Sequence, residues 1–539
     1  MNRTQHEHPV LAFAREEWAR LSASQPRSEG AELILCTWSD LEAQDSERLS
    51  PDIKEKMRAS TRSDDYIIAE AADRLVLAGK YERATLFALY QYAREAWGLR
   101  RAYPGTDVSF DEEETIRGAA TGNFERFYSP RFERRGFVVE NYKDPAYLKL
   151  LIDWLAKNGQ NEIFFTFMLW DAVRDEVAPE IAKRGLRVTL GGHSMKFFTD
   201  RSESFRAIQG DHPYTAKKQF DYKDESWFPA LFDQIAAYCK DVPNLTTLSL
   251  WPEDVADRSG AGFLSSYIRF AERLKAHLRA AGIEADVEHI AYNAGLSWDM
   301  LELGDAPPSD SADVLFAYWG RDYRFGYEAS PHENEHRARK ALEEWTAAVR
   351  GQGRRTTIFE YYSDHFMLSS LFPALPRRIA EDVEYYAKLG VDGMVDLIVP
   401  YKGPLDYPWT WAHGFNSFVF ARALWGESLE DILNEYYAGY PVAERRSVRA
   451  TFERIEETVA EATRWNVPLF PARAVDVERA VADAEQADAV IAMLRRIQAV
   501  LGTSAPNGAP VGSYEKYVRC LIEQASALET LWREKRERL

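Results

Sequence analysis

The sequence predicts an α/β fold: a (β/α)8 TIM barrel preceded by a small α/β domain and followed by a helical C-terminal region. Three observations carry this expectation. Eight strand-like runs alternate with amphipathic stretches over residues 135–400, the amphipathic stretches end on glycine as helices do at their C-caps, and the chain beyond residue 411 turns almost wholly helical. Eight repeats in about 265 residues match a closed barrel better than an open sheet.

Residues 1–125 carry a helix, a strand in AELILCTW, two strand-like runs in DDYIIAEA and DRLVLAGK, and a helix in ATLFALYQYAREAWG. Residues 126–410 form the barrel. Its strands are RGFVVEN (135–141), NEIFFTFM (161–168), LRVTLGGH (186–193), LTTLSLWP (245–252), ADVEHIAYN (285–293), ADVLFAYW (312–319), TTIFEYYS (356–363) and GMVDLIVP (393–400). Helical spacing is plain in DPAYLKLLIDWLAKNG and PRRIAEDVEYYAKLG and faintest after the fifth strand. The long polar segment after the third strand, residues 194–226, reads as an insertion on the active face. Residues 411–539 supply the terminal helices, and the apolar stripes in VERAVADAEQADAVIAMLRRIQAVL and YVRCLIEQASALETLW predict packing within the chain, with a homodimer face as their other use.

Composition narrows the function. A formal charge of −18 excludes a phosphate-backbone partner, which needs a basic face, so no nucleic acid is expected. Three widely spaced cysteines, Cys36, Cys239 and Cys520, make neither a disulfide framework nor a Cys-type zinc site. The charged N-terminal residues hold no apolar signal core, and no run approaches a membrane span, so the expected setting is cytoplasmic. Aromatic residues reach 13 %, which suits sugar-binding surfaces as well as cores.

In such barrels the catalytic side chains come from the C-terminal ends of several strands. Strand four ends in Glu253 and Asp254, strand six runs into Asp322, and strand seven carries Glu360. Glycoside hydrolysis needs such a set, one acid to protonate the leaving oxygen and another carboxylate to activate water or attack the sugar. Alone, each acid reads equally as a salt-bridged or solvated loop residue. Trp170, Trp251 and Trp319 are candidates to stack on sugar rings. His193 suits a sugar hydroxyl or a backbone bond, Tyr292 and Tyr361 the pocket wall or the core, and Arg321 the orientation of Asp322. Arg135 and Lys402 suit a substrate carboxylate or a protein acid. No cofactor and no metal is called for. HENEH at 332–336 matches the zinc pattern H-E-x-x-H, but it opens a predicted helix after Ser-Pro and has no evident third ligand, so a capped helix start is expected instead of a metalloprotease.

DDYIIAEAADRLVLAGKYERATLFALYQYAREAWGLRRAYPG, FERRGF, GGHSM, LSLWPEDV, AYNA, FEYYSD and FARALWGESLEDILNEYY follow in this order across residues 60–445. Together they resemble the DUF4838 (domain of unknown function) proteins, which are similar to the family 67 α-glucuronidases and, more distantly, the family 20 β-hexosaminidases. The resemblance implies an acid after strand four, Asp254 where the related Pro-Asn-Asp ends, or Glu253 beside it. It implies water activated by Asp322 and Glu360, and His193 and Arg135 on substrate hydroxyls or a carboxylate. It also favours inversion over retention. Two departures stand out: the hexosaminidase order Asp-Glu is reversed here, and the motif continues Val-Ala-Asp-Arg-Ser-Gly in place of Gly and Cys. The expected function is a glycoside hydrolase releasing a terminal sugar, such as a uronic acid. A hexosaminidase-like enzyme and a non-catalytic carbohydrate-binding barrel are the alternatives.

Overall fold

The computed structural model describes residues 8–23, 32–44, 49–102, 104, 124–140, 143–199, 201, 221–252, 262–293, 298–350, 352–364, 371–398, 409–465, 484–502 and 513–539. Four strands form the N-terminal sheet: β1 (Glu32–Thr37), β2 (Tyr66–Ala71), β3 (Arg74–Gly79) and β4 (Phe124–Tyr128), in the order β1-β3-β2-β4. β1 runs parallel to β3, whereas β2 is antiparallel to both β3 and β4. The sequence reading found the first three. It missed β4, whose FERFY carries two central charges and presents no wholly buried face. Helix Glu82–Trp97 packs on β2 and β3 with its apolar side and ends on Gly98, whose left-handed backbone returns its N–H to the Ala93 carbonyl.

Eight parallel strands close the barrel in chain order: β5 (Arg134–Val139), β6 (Glu162–Thr166), β7 (Arg187–Gly192), β8 (Leu245–Leu250), β9 (Asp286–Tyr292), β10 (Asp313–Ala317), β11 (Thr356–Ser363) and β12 (Gly393–Ile398), with β12 pairing back to β5. The predicted barrel is therefore the observed one, with seven strands shorter than predicted and β11 of the predicted length. β6 stops at Thr166 because that hydroxyl accepts the Leu169 N–H at 3.2 Å and caps helix Phe167–Arg184, so Phe167 and Met168 are helical. Among the described residues no helix joins β9 to β10, in line with the faint pattern there; residues 298–312 run through turns.

The lumen is layered. At its N-terminal end Arg134 grips both oxygens of Glu162 at 2.7 Å and also reaches Glu288, while the Thr189 hydroxyl donates to Glu162 at 2.8 Å. Above this polar stopper lie Phe164, Trp251 and Phe359, with ring centroids 5.4 and 5.5 Å apart in succession. The C-terminal helices bury their stripes against the barrel side of the chain. Phe452 of helix Val442–Val459 meets Phe415 of helix Trp409–Ala423 at 4.7 Å, and the Tyr517 hydroxyl of helix Ser513–Arg538 donates to the Phe372 carbonyl. No described helix is long and apolar enough to cross a membrane.

Candidate active site

The mouth of the barrel is aromatic, and two glycines shape one side of it. A Cβ on Gly191 would sit 1.8 Å from the Ser249 carbonyl oxygen of β8, so only glycine lets β7 and β8 approach this closely. Gly192 then adopts φ 73°, which turns the chain so that the ring of His193 lies 5.3 Å from Trp251 and 6.4 Å from Tyr292. His193 Nδ1 lies 2.6 Å from the Pro252 carbonyl oxygen and so holds the end of strand four at the rim.

Next to Tyr292, Asn293 clamps Trp319. Its amide donates to the Trp319 carbonyl at 2.7 Å, and its oxygen accepts the Trp319 N–H at 2.6 Å. The Trp319 ring meets Tyr361 edge-on at 5.0 Å. Burial pushes the Tyr361 phenol well above its ordinary range, and the charges of Tyr292, Asp364, Glu140 and Glu360 add to the rise. Asp364 follows β11 and is wholly buried, and Glu140 follows β5 and is half-buried. These two acids escaped the sequence reading. Both are the first residue beyond a strand, so the strand-end rule applied to strands one and seven would have named them.

The predicted residues divide between the mouth and other places. His193, Tyr292, Trp319 and Tyr361 gather at the mouth, and Trp251 forms its floor, 2 % exposed, with its indole N–H donated to the Ser249 hydroxyl at 2.9 Å. Trp251 is thus packed core beneath the opening and offers no open stacking face. Glu253, Asp254 and Lys402 lie outside the described residues.

Besides Trp251, five expectations need correction. Glu360 faces away from the lumen, because Phe359 and Tyr361 on either side of it point inward. It accepts from Tyr323 at 2.7 Å, from Arg321 at 3.1 Å and from the Tyr386 hydroxyl, under helix Pro376–Leu389. Burial raises its carboxyl above the ordinary range, Arg321 opposes the rise and Asp382 adds to it. Arg321 is buried in that same cluster, bonded to Asp382 at 2.7 Å, and does not orient Asp322. Asp322 is taken up by Arg324 at 2.6 Å and His332 at 3.0 Å. Arg135 is the second residue of β5, at the end of the barrel away from the mouth, and it donates to Asp64 at 2.7 Å and to the Gly159 carbonyl at 3.1 Å with no exposed surface. Trp170 is buried against Phe165 between barrel and helix.

HENEH opens helix Glu333–Arg350 with Glu333 and Glu335 in its first turn. His332 turns inward to Asp322 while His336 is exposed, so the pair does not face one cleft. Among the described residues no group of three or more His, Cys, Asp or Glu side chains is arranged to hold a metal.

Comparison with solved structures supports the architecture. The chain is similar to a GH138 enzyme targeting pectin rhamnogalacturonan II, with TM-score 0.59 and 12 % identity over 97 % of this chain and 67 % of that one. Fainter likenesses are to a β-N-acetylhexosaminidase from Bacteroides fragilis (TM-score 0.46, 13 % identity, 77 % and 92 % of the two chains) and to CpGH84D (TM-score 0.47, 11 % identity, 99 % and 89 %). At these identities the likeness speaks for the fold, and the two lower scores carry no argument. No family model and no curated protein matches the chain, so the DUF4838 and family 67 resemblance stands on its quoted motifs alone.

Proposed function

We propose that the chain is a glycoside hydrolase that removes a terminal sugar from an oligosaccharide or glycoside. The observation that carries this reading is the aromatic mouth, where His193, Tyr292, Trp319 and Tyr361 gather and the buried Asp364 and the half-buried Glu140 lie near enough to Tyr361 to raise its phenol. In a barrel of eight strands, strand four stands opposite strand eight, so strands one and seven flank the position facing it. In this reading Glu253 or Asp254, immediately beyond Pro252, protonates the leaving oxygen. Asp364 or Glu140 on the far side activates water or attacks the sugar. The fold shared with a GH138 enzyme supports the class and leaves the sugar open. A uronic acid remains one choice, with Lys402 as the cation for its carboxylate, since the other candidate, Arg135, is engaged in a buried ion pair. A cytoplasmic setting agrees with three cysteines that form no disulfide.

The experiment is turnover of aryl glycosides, with and without a terminal carboxylate, by Glu253→Gln, Asp254→Asn, Asp364→Asn and Glu140→Gln. We expect a loss of at least about 100-fold in kcat for one residue of each pair. Full activity in all four variants rejects the assignment. The engagement of Asp322 and Glu360 in ion pairs favours a second reading, a non-catalytic carbohydrate-binding barrel. Saturable sugar binding with no turnover on the whole panel would select it.

A further inference from the structure

A cavity of about 730 Å3 opens at the end of the barrel away from the mouth. Gly159, which precedes β6, lies on its wall, and so does Trp425, whose ring covers Arg135 of β5 at 4.9 Å. The volume falls in the range of small-ligand sites, roughly 300–1,000 Å3.

One wall is aromatic. The Tyr66 and Tyr128 rings stack at 4.9 Å, and Trp425 lies 5.5 Å from Tyr66, a surface on which the C–H face of a sugar ring packs well. The other wall is a fixed array of donors and acceptors. Arg94 donates to both oxygens of Glu427, at 3.0 and 2.6 Å, and through Nε to Glu435 at 2.7 Å. Gln91 donates to Glu95 at 2.6 Å, and the Tyr128 hydroxyl donates to Glu95 at 2.9 Å. Such paired groups are already oriented before a ligand arrives, which lowers the cost of binding hydroxyls that both give and take hydrogen bonds. Arg422 is 4 % exposed, and its Nε is a buried donor without a hydrogen-bond partner, an arrangement that a ligand oxygen would complete. Five cationic and four acidic side chains line the cavity, so their charges nearly cancel and a neutral ligand fits better than a polyanion.

We propose that this cavity is a second, non-catalytic binding site for a neutral sugar unit of one or two rings. The choice of sugar rests on the glycoside hydrolase reading, while the existence of the site does not. It would hold a distant part of a branched or long substrate, or a product, while the mouth works on a terminus.

The test uses the full chain carrying Glu253→Gln and Asp254→Asn, titrated by calorimetry and ligand-observed NMR with neutral mono- and disaccharides, a uronic acid and inorganic phosphate. Ser129→Trp and Asn434→Trp, at two exposed lining positions, each place an indole in the cavity, and thermal melting confirms that either variant is folded. We expect a neutral-sugar isotherm that each tryptophan weakens by at least about tenfold, while turnover of small aryl glycosides in the otherwise unaltered chain is unchanged. Neutral-sugar binding that neither folded variant alters, or binding of phosphate alone, overturns the proposal. Tryptophan-sensitive binding in a chain that cleaves nothing would sink the enzyme reading and leave this site standing. Turnover without such binding would do the reverse.

Discussion

Gly191 shows how far one hydrogen atom in place of a methyl group sets the site. Adding a Cβ there drives it into the Ser249 backbone, which cannot swing aside as a side chain could. Gly191→Ala should therefore destabilise the chain by about 3 kcal/mol and displace His193. Gly262→Ala, at φ 86° with open space around it, should cost only about 1 kcal/mol. Apparent melting temperatures of the two variants check the contrast, and equal losses would contradict it. At this scale the sequence was only partly legible. It brought His193, Tyr292, Trp319 and Tyr361 to the mouth, but it could not say which way Glu360 faces. In TTIFEYYS every residue of the strand is buried, on the lumen side and on the helix side alike, so no polar alternation marks the inward set. Register against β10 and β12 decides it, and register is a property of neighbours.

Among the elements, the stretch between β10 and helix Glu333–Arg350 depends on buried charge. Glu335 accepts the Asp322 N–H at 2.8 Å, and its second oxygen stands 3.8 Å from Arg321 Nε, too far for a hydrogen bond. Burial pushes its carboxyl up to about 7; Arg321 and the Asp322 N–H oppose the rise without cancelling it. The folded chain therefore keeps a proton that the unfolded chain releases near 4.5, so this contribution to stability is full below about pH 4.5 and is lost as pH rises through about 7. Between pH 5 and 8 the wild type should lose about 2 kcal/mol more than Glu335→Gln. Melting curves of both proteins across that range read the difference, and parallel curves would refute it. Elements themselves were well foreseen wherever periodicity was strong. β4 was not, because charged FERFY lacks a clear period, while the faint pattern after β9 agrees with a connection whose described residues, 298–312, hold no helix.

For the whole molecule, Asp64 ties the N-terminal sheet to the barrel. With no exposed surface, it accepts from Arg83 at 2.8 Å, from Arg135 at 2.7 Å and from the neutral amide of Asn161 at 2.6 Å, and the two arginines hold its carboxyl far below the ordinary range against the effect of burial. Asp64→Ala leaves the buried Arg135 and the half-buried Arg83 without their carboxylate and should cost about 3 kcal/mol. Limited proteolysis should then cut within residues 1–130 before the barrel, whereas unchanged resistance would show that the tie is dispensable. The order of the parts was legible because a strand-and-helix rhythm runs through the first two and gives way to helix alone beyond residue 411. This joint was not, because Asp64 and Arg135 are 71 positions apart and nothing local links them.

The stopper of Arg134, Glu162 and Glu288 has a directional consequence. A shaft sealed at its base has no back door, so anything admitted at the rim must withdraw along the route by which it arrived.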